Sequence, residues 1–218
     1  LTISGEIWCW GSNRYGQLGL GTTDGPETCP GGPCSRQARR VNLPDYAIDV
    51  AVGAHAVCAI LRNGHLFCWG KASATTESEP ATCNAGLCVT RPYDLTDNAF
   101  ELSEATIRVA VGADHTCALG DDGVMTCWGT TRHGRLGIGA EFQESEDEIF
   151  ADAPTVLSRL INVTDLAVGA RHSCARVRST RAQRARLYCW GDNAHTQLGT
   201  GLGTANIEVL PRRVLDPR

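Results

Sequence analysis

Eleven cysteines, two histidines in one repeated register, a run of carboxylates and an arginine-rich stretch are the residues of this sequence whose types and spacing could do chemistry. Cys58 and Cys68, like Cys117 and Cys127, flank short turns symmetrically, so each pair falls directly opposite across a hairpin, at a separation that suits a disulfide. Cys174 and Cys189 repeat the arrangement around a longer loop, while Cys29/Cys34 and Cys83/Cys88 share a spacing of five inside polar stretches. Five pairs leave Cys9 unpaired. Zinc is the rival chemistry, but no short-spaced cysteine pair combines with another as a zinc knuckle needs, so disulfides are expected and no metal or other cofactor is assigned. Such usage implies an extracytoplasmic, oxidising setting: periplasm, cell surface or medium.

His115 and His172 stand in the same local pattern, which could make a ring of metal ligands. Ala56 occupies that place in the earlier copy, so a hydrogen-bonded structural role is expected instead. Glu141, Glu144, Glu146, Asp147, Glu148 and Asp152 form an acidic run without the regular oxygen spacing and central glycine of a calcium loop. It reads as a solvated or partner-facing patch, with Glu146, Asp147 and Glu148 as candidate contacts. Between Cys174 and Cys189 stand Arg176, Arg178, Arg181, Arg184 and Arg186, enough guanidinium groups to grip a carboxylate-rich protein, a phosphate surface or anionic lipid. Arg178, Arg181, Arg184 and Arg186 are taken as candidate partner contacts. Asn162-Val163-Thr164 is a glycosylation acceptor sequence, meaningful where that pathway exists. There is no nucleophile with its base, no phosphate-cradling glycine loop and no metalloprotease helix, so the chain is not expected to be an enzyme.

The elements that carry these groups repeat. Cys9-Trp10-Gly11, Cys68-Trp69-Gly70, Cys127-Trp128-Gly129 and Cys189-Trp190-Gly191 recur at intervals of 59, 59 and 62 residues, a period that means stacked supersecondary units. Ahead of three of them lie Val50-Ala51-Val52-Gly53-Ala54, Val109-Ala110-Val111-Gly112-Ala113 and Leu166-Ala167-Val168-Gly169-Ala170. Arg62-Asn63-Gly64 and Asp121-Asp122-Gly123 read as hairpin turns with glycine where φ is positive. Glycine-rich turns such as Gly16-Gln17-Leu18-Gly19 and Gly134-Arg135-Leu136-Gly137 follow the tryptophans, then strands led by Pro154 and Pro211. Tryptophans at one fixed strand position, Trp10, Trp69, Trp128 and Trp190, are expected to pack between units.

This pattern resembles the regulator of chromosome condensation repeat family, here in a disulfide-rich, exported, bacterial-type form. Trp10-Gly11-Ser12-Asn13-Arg14-Tyr15-Gly16-Gln17-Leu18-Gly19 fits one family motif throughout, and Gly112-Ala113-Asp114-His115-Thr116-Cys117-Ala118-Leu119 fits the other. The second unit departs, with Ala72-Ser73-Ala74-Thr75 in place of the Gly-Gln-Leu-Gly turn. The resemblance implies an all-β propeller, with about four repeats present and typically seven blades in a whole ring. The units run approximately over 1–61, 62–119, 120–177 and 178–218, and remaining blades of the parent chain are expected. Aligning the units places a partner for Cys9 two residues ahead of Leu1. The resemblance also implies protein–protein interaction or scaffolding, including as an accessory subunit of a larger assembly. Inhibition of a secreted enzyme such as a β-lactamase and nucleotide exchange on a small GTPase are the alternatives. At 218 residues, with 42% hydrophobic residues and net charge -4, the chain can fill a core but carries no basic field for nucleic acid and no apolar run of membrane-spanning length.

Overall fold

Short alternating runs separated by glycine turns can satisfy their backbone groups only by pairing with one another. A computed structural model, which describes residues 1–71, 81–83, 86–96, 102–139, 150–178, 184–201 and 206–215, shows them doing so in four antiparallel sheets. The first contains β1 (Trp8–Ser12), β2 (Glu27–Cys29) and β3 (Gly32–Arg40), in the order β1-β3-β2. The second orders β4 (Ala47–Val52), β5 (Ala56–Leu61), β6 (Leu66–Lys71), β7 (Ala81–Cys83) and β8 (Gly86–Asp94) as β4-β5-β6-β8-β7. The third runs β9 (Thr106–Val111), β10 (His115–Gly120), β11 (Met125–Thr130) and β12 (Phe150–Val156) in sequence order. The fourth does likewise with β13 (Val163–Val168), β14 (His172–Arg178), β15 (Ala185–Asp192) and β16 (Ile207–Arg213). The described residues contain no α-helix, only a 3-10 turn at Arg132–Gly134. The architecture is all-β and propeller-like. The sequence units are out of phase with these sheets: each internal unit boundary falls at the hairpin joining a sheet's second and third strands.

The cysteine pairing follows from register. Cys58↔Cys68, Cys117↔Cys127 and Cys174↔Cys189 are direct cross-strand partners, and all three are bridged with Cα atoms 4.1 Å apart. Cys29 and Cys34 are bridged as well, at 5.9 Å, across the tight β2–β3 turn. Cys88 is disulfide-bonded, whereas the side chain of Cys83 lies outside the described residues. Cys9 is free.

In every sheet the Cys-Trp-Gly strand meets a bulge on its outer neighbour, with the register shifting between the cysteine and the glycine. Pro92, Pro154 and Pro211 sit inside three of these bulges, where a missing N–H disrupts no ladder bond. Pro154 and Pro211 therefore do not lead their strands as the sequence suggested; β12 and β16 begin at Phe150 and Ile207, because the chain pairs before it bulges.

Opposite faces of each sheet differ, since side chains alternate along a strand. One face of the second sheet carries Cys58, Ile60, Leu66 and Cys68, which pack with Trp128 of the third. In the same way Cys117, Leu119, Met125 and Cys127 pack with Trp190 of the fourth, and Cys9 packs against the cluster containing Trp69. Trp69, Trp128 and Trp190 are fully buried between sheets. Trp10 is not: it is 66% exposed, because no described strand of a preceding sheet covers its face, and this corrects the expectation of uniform burial.

Sheets also meet at their inner glycine turns. A Cβ on Gly53 would strike the carbonyl oxygen of Gly112, and one on Gly112 would sit 2.7 Å from that of Gly169. The backbone amide of Ala54 donates to Gly112 at 3.2 Å, so the absence of a side chain is what lets neighbouring turns touch.

Candidate protein-binding rims

At one end of the sheets lie the hairpin turns between second and third strands. The β5–β6 and β10–β11 ladders close at Ile60↔Leu66 and Leu119↔Met125. The β14–β15 ladder continues through Val177↔Arg186 to Arg178↔Ala185, so this hairpin stands taller than its siblings. Arg176 takes the place of the buried Ile60 and Leu119, yet it is exposed, as are Arg178, Arg184 and Arg186. Among the described residues none of these four has a carboxylate within ion-pair distance. Unneutralised guanidinium groups on a rigid ribbon suit an anionic partner. Arg181 lies outside the described residues, as do Glu141, Glu144, Glu146, Asp147 and Glu148 of the acidic run and the side chain of Asp152.

The histidines serve the inter-sheet seams. His115 Nε2 lies 2.9 Å from Ser173 Oγ of the fourth sheet, and Ser173 Oγ donates to the carbonyl of Arg135 at 3.0 Å. With the hydroxyl proton thus engaged, Nε2 carries the imidazole proton and donates to Ser173. Burial, the Arg135 guanidinium and His172 hold the His115 pKa down at about 3, so the ring is neutral at physiological pH. This pairing has the look of a serine–histidine dyad, but Ser173 is fully buried and His115 is 2% exposed. No substrate can reach them. His172 repeats the position on β14 and lies half-buried beside Gly169. Among the described residues no cluster of three metal-binding side chains forms.

The opposite rim, at the glycine turns, holds a polar chain that spacing alone did not single out. Tyr15 and His55 rings lie 4.7 Å apart, and Lys71 Nζ stands 5.6 Å over the Tyr15 ring. Lys71 reaches Asp114 Oδ1 at 3.7 Å, and Asp114 Oδ2 is 3.9 Å from Arg135 Nη1. The first, second and third sheets are thus joined across their seams by charged and aromatic groups. His133, nearby, has its pKa lowered by burial and by the surrounding arginines. Aligned by repeat, His55 and Asp114 occupy the same place, just ahead of the position of the repeated histidine. Asn162 is exposed in a turn with φ 57, and Thr164 donates to the carbonyl of Arg176. No helix among the described residues is long and apolar enough to cross a membrane.

Comparison with known proteins finds the Regulator of chromosome condensation (RCC1) repeat at residues 4–60, and a second form of the same repeat at 107–135. The probable E3 ubiquitin-protein ligase HERC4 of Homo sapiens is 29% identical over 203 residues, covering 92% of this chain and 17% of that protein. The E3 ubiquitin-protein ligase HERC2 of Homo sapiens is 28% identical over 213 residues, covering 94% of this chain and 4% of that protein. The chain thus spans under a fifth of the length of these curated relatives. Among solved structures, Prp20p from Saccharomyces cerevisiae, described with its binding to Gsp1p and histones, superposes with TM-score 0.73 at 20% identity, over all of this chain and 48% of that one. Human WBSCR16 gives 0.71 at 22% identity, over all of this chain and 50% of that one.

Proposed function

We propose that this chain, which is built from regulator of chromosome condensation repeats, is a rigid, non-catalytic docking platform that works in an oxidising compartment outside the cytoplasm, with the β14–β15 hairpin as its principal contact. The observation that carries this reading is the height of that hairpin together with the exposed Arg178, Arg184 and Arg186, which have no carboxylate within ion-pair distance among the described residues. Loops on a stiff scaffold are where such folds place recognition. The cross-strand disulfides support the compartment: Cys58–Cys68, Cys117–Cys127 and Cys174–Cys189 join facing strands in three successive sheets. They also argue against nucleotide exchange in a reducing nucleus. The neighbour described as binding Gsp1p and histones supports a protein as the partner class, and the arginines favour one with an acidic surface.

The test is to crosslink the whole protein in its own organism as wild type and as the triple variant Arg178→Glu, Arg184→Glu, Arg186→Glu. A protein bound to wild type and lost from the variant supports the reading. Identical partners for both, or a native protein whose cysteines are all reduced, overturns it. The narrower form, inhibition of a secreted hydrolase, is decided by adding the whole protein to serine β-lactamases at micromolar concentration; undiminished hydrolysis removes it.

A further inference from the structure

The glycine turn that follows β11 departs from its siblings. In the first sheet Gln17 Oε1 accepts from the amide of Tyr15 at 2.8 Å, and in the fourth Gln197 Oε1 accepts from the amide of His195 at 2.8 Å. The third sheet has Arg135 in that place, and its Nε donates to the carbonyl of Arg132 at 2.8 Å. A guanidinium has no acceptor to offer. The amide of His133, the counterpart of Tyr15 and His195, therefore has no hydrogen-bond acceptor among the described residues. His133 also sits in the left-handed region at φ 61, which neither counterpart does.

The side chains around this amide are cationic. Arg132 precedes it on the turn, and Arg171 of the fourth sheet takes the place that His55 holds beside Tyr15 at 4.7 Å. Arg132 and Arg171 are both exposed, and among the described residues neither has a carboxylate within ion-pair distance. Arg135 is buried and shares Asp114 with Lys71. The carboxylates of the strands packed against the turn are engaged locally. Asp192 Oδ1 accepts from the amide of Ala194 at 2.9 Å, and Glu208 of β16 holds Arg212 Nε at 2.9 Å. Positive charge is thus in excess at this seam: burial, then Arg135, Arg171 and Arg132, lower the pKa of His133, with Asp192 opposing them.

We propose that Arg132, Arg171 and the amide of His133 form a seat for the phosphate group of a small ligand, at the rim of the seam between the third and fourth sheets. A phosphate carries close to two negative charges and several strong acceptor oxygens, so it takes two guanidinium groups and a backbone N–H from different directions. A single carboxylate, flat and singly charged, satisfies fewer of these donors. Bound phosphate offsets the arginines, so the His133 ring takes up a proton more readily while the ligand is in place. The seat lies on the rim opposite the β14–β15 hairpin, and the inference stands apart from the docking role.

The whole protein is titrated with inorganic phosphate by calorimetry, with acetate and chloride at matched ionic strength as controls, while the His133 ring is followed by NMR. Phosphate should bind more tightly than acetate or chloride, and the ring should titrate at higher pH in its presence. Arg132→Gln and Arg171→Gln, both at exposed positions, should each weaken binding about tenfold, the size of one charge-assisted hydrogen bond. Arg135→Gln restores the acceptor of the sibling turns, so it should abolish binding in a protein that still melts cooperatively. Glycerol phosphate in a parallel titration separates the sources: tighter binding than inorganic phosphate marks a phosphate ester, and weaker binding marks the free ion. Phosphate binding no tighter than acetate, a His133 ring that phosphate does not move, or wild-type affinity in either exposed-arginine variant overturns the proposal.

Discussion

Trp190 of the fourth sheet donates its indole N–H to the carbonyl of Arg135 in the third, 2.9 Å away. Trp69 of the second sheet makes the same bond in the same direction, to the carbonyl of Gln17 in the first, at 3.0 Å. Trp128 Nε1 has no partner among the described residues, and the segment corresponding to Gln17 and Arg135 falls within 72–80, outside them.

Phenylalanine substitutions should separate that bond from packing. Trp190→Phe and Trp69→Phe are each expected to cost about 1–2 kcal/mol beyond the lost ring area, since each also loses an inter-sheet hydrogen bond. Urea unfolding of the two variants checks the cost; a loss no larger than the ring area accounts for would count against a role for the bond.

His115 sets an acid limit. Its folded pKa of about 3 lies below its ordinary 6.5, so between these values the unfolded chain binds more protons and stability falls as pH falls. The slope is on the order of 1 kcal/mol per pH unit for one such group. His115→Gln, which can still donate to Ser173, should flatten the melting temperature across pH 4–6 relative to wild type.

Removing a cross-strand bridge should be felt strongly. Cys117 and Cys127 are ten residues apart, and replacing both by serine is expected to cost about 3 kcal/mol on the loop-entropy estimate. Cys29 and Cys34, five apart, should cost about 2 kcal/mol. Thermal unfolding of the two double variants ranks them.

A methyl group at an inner turn should act far from its own sheet. Gly53→Ala drives Cβ into the Gly112 carbonyl and should destabilise by more than about 2 kcal/mol. Gly31→Ala meets nothing within 4 Å and should change little. Denaturant midpoints for the two variants test the contrast.

Much of this was legible in the residues. Hairpins and their bridges follow from cysteines set symmetrically about a turn, because facing positions in an antiparallel ladder are fixed by that symmetry alone. What lies between sheets was not legible. His115 and Ser173 are 58 positions apart, and nothing local to either predicts that one accepts the other's proton. The same holds for Lys71, Asp114 and Arg135, which meet only once three sheets are stacked. Three of the four bulges opposite the tryptophans hid behind the prolines within them, and the exposure of Trp10 depends on what covers its face rather than on its motif.

The alternation of a tryptophan face and a disulfide face gives the stack a direction. Each sheet offers a plug on one side and a socket on the other, so neighbours can join only front to back. A two-fold pairing through the Trp10 side would press plug against plug. Any assembly that extends this array through its flanks is therefore vectorial, like a chain of links with distinguishable ends.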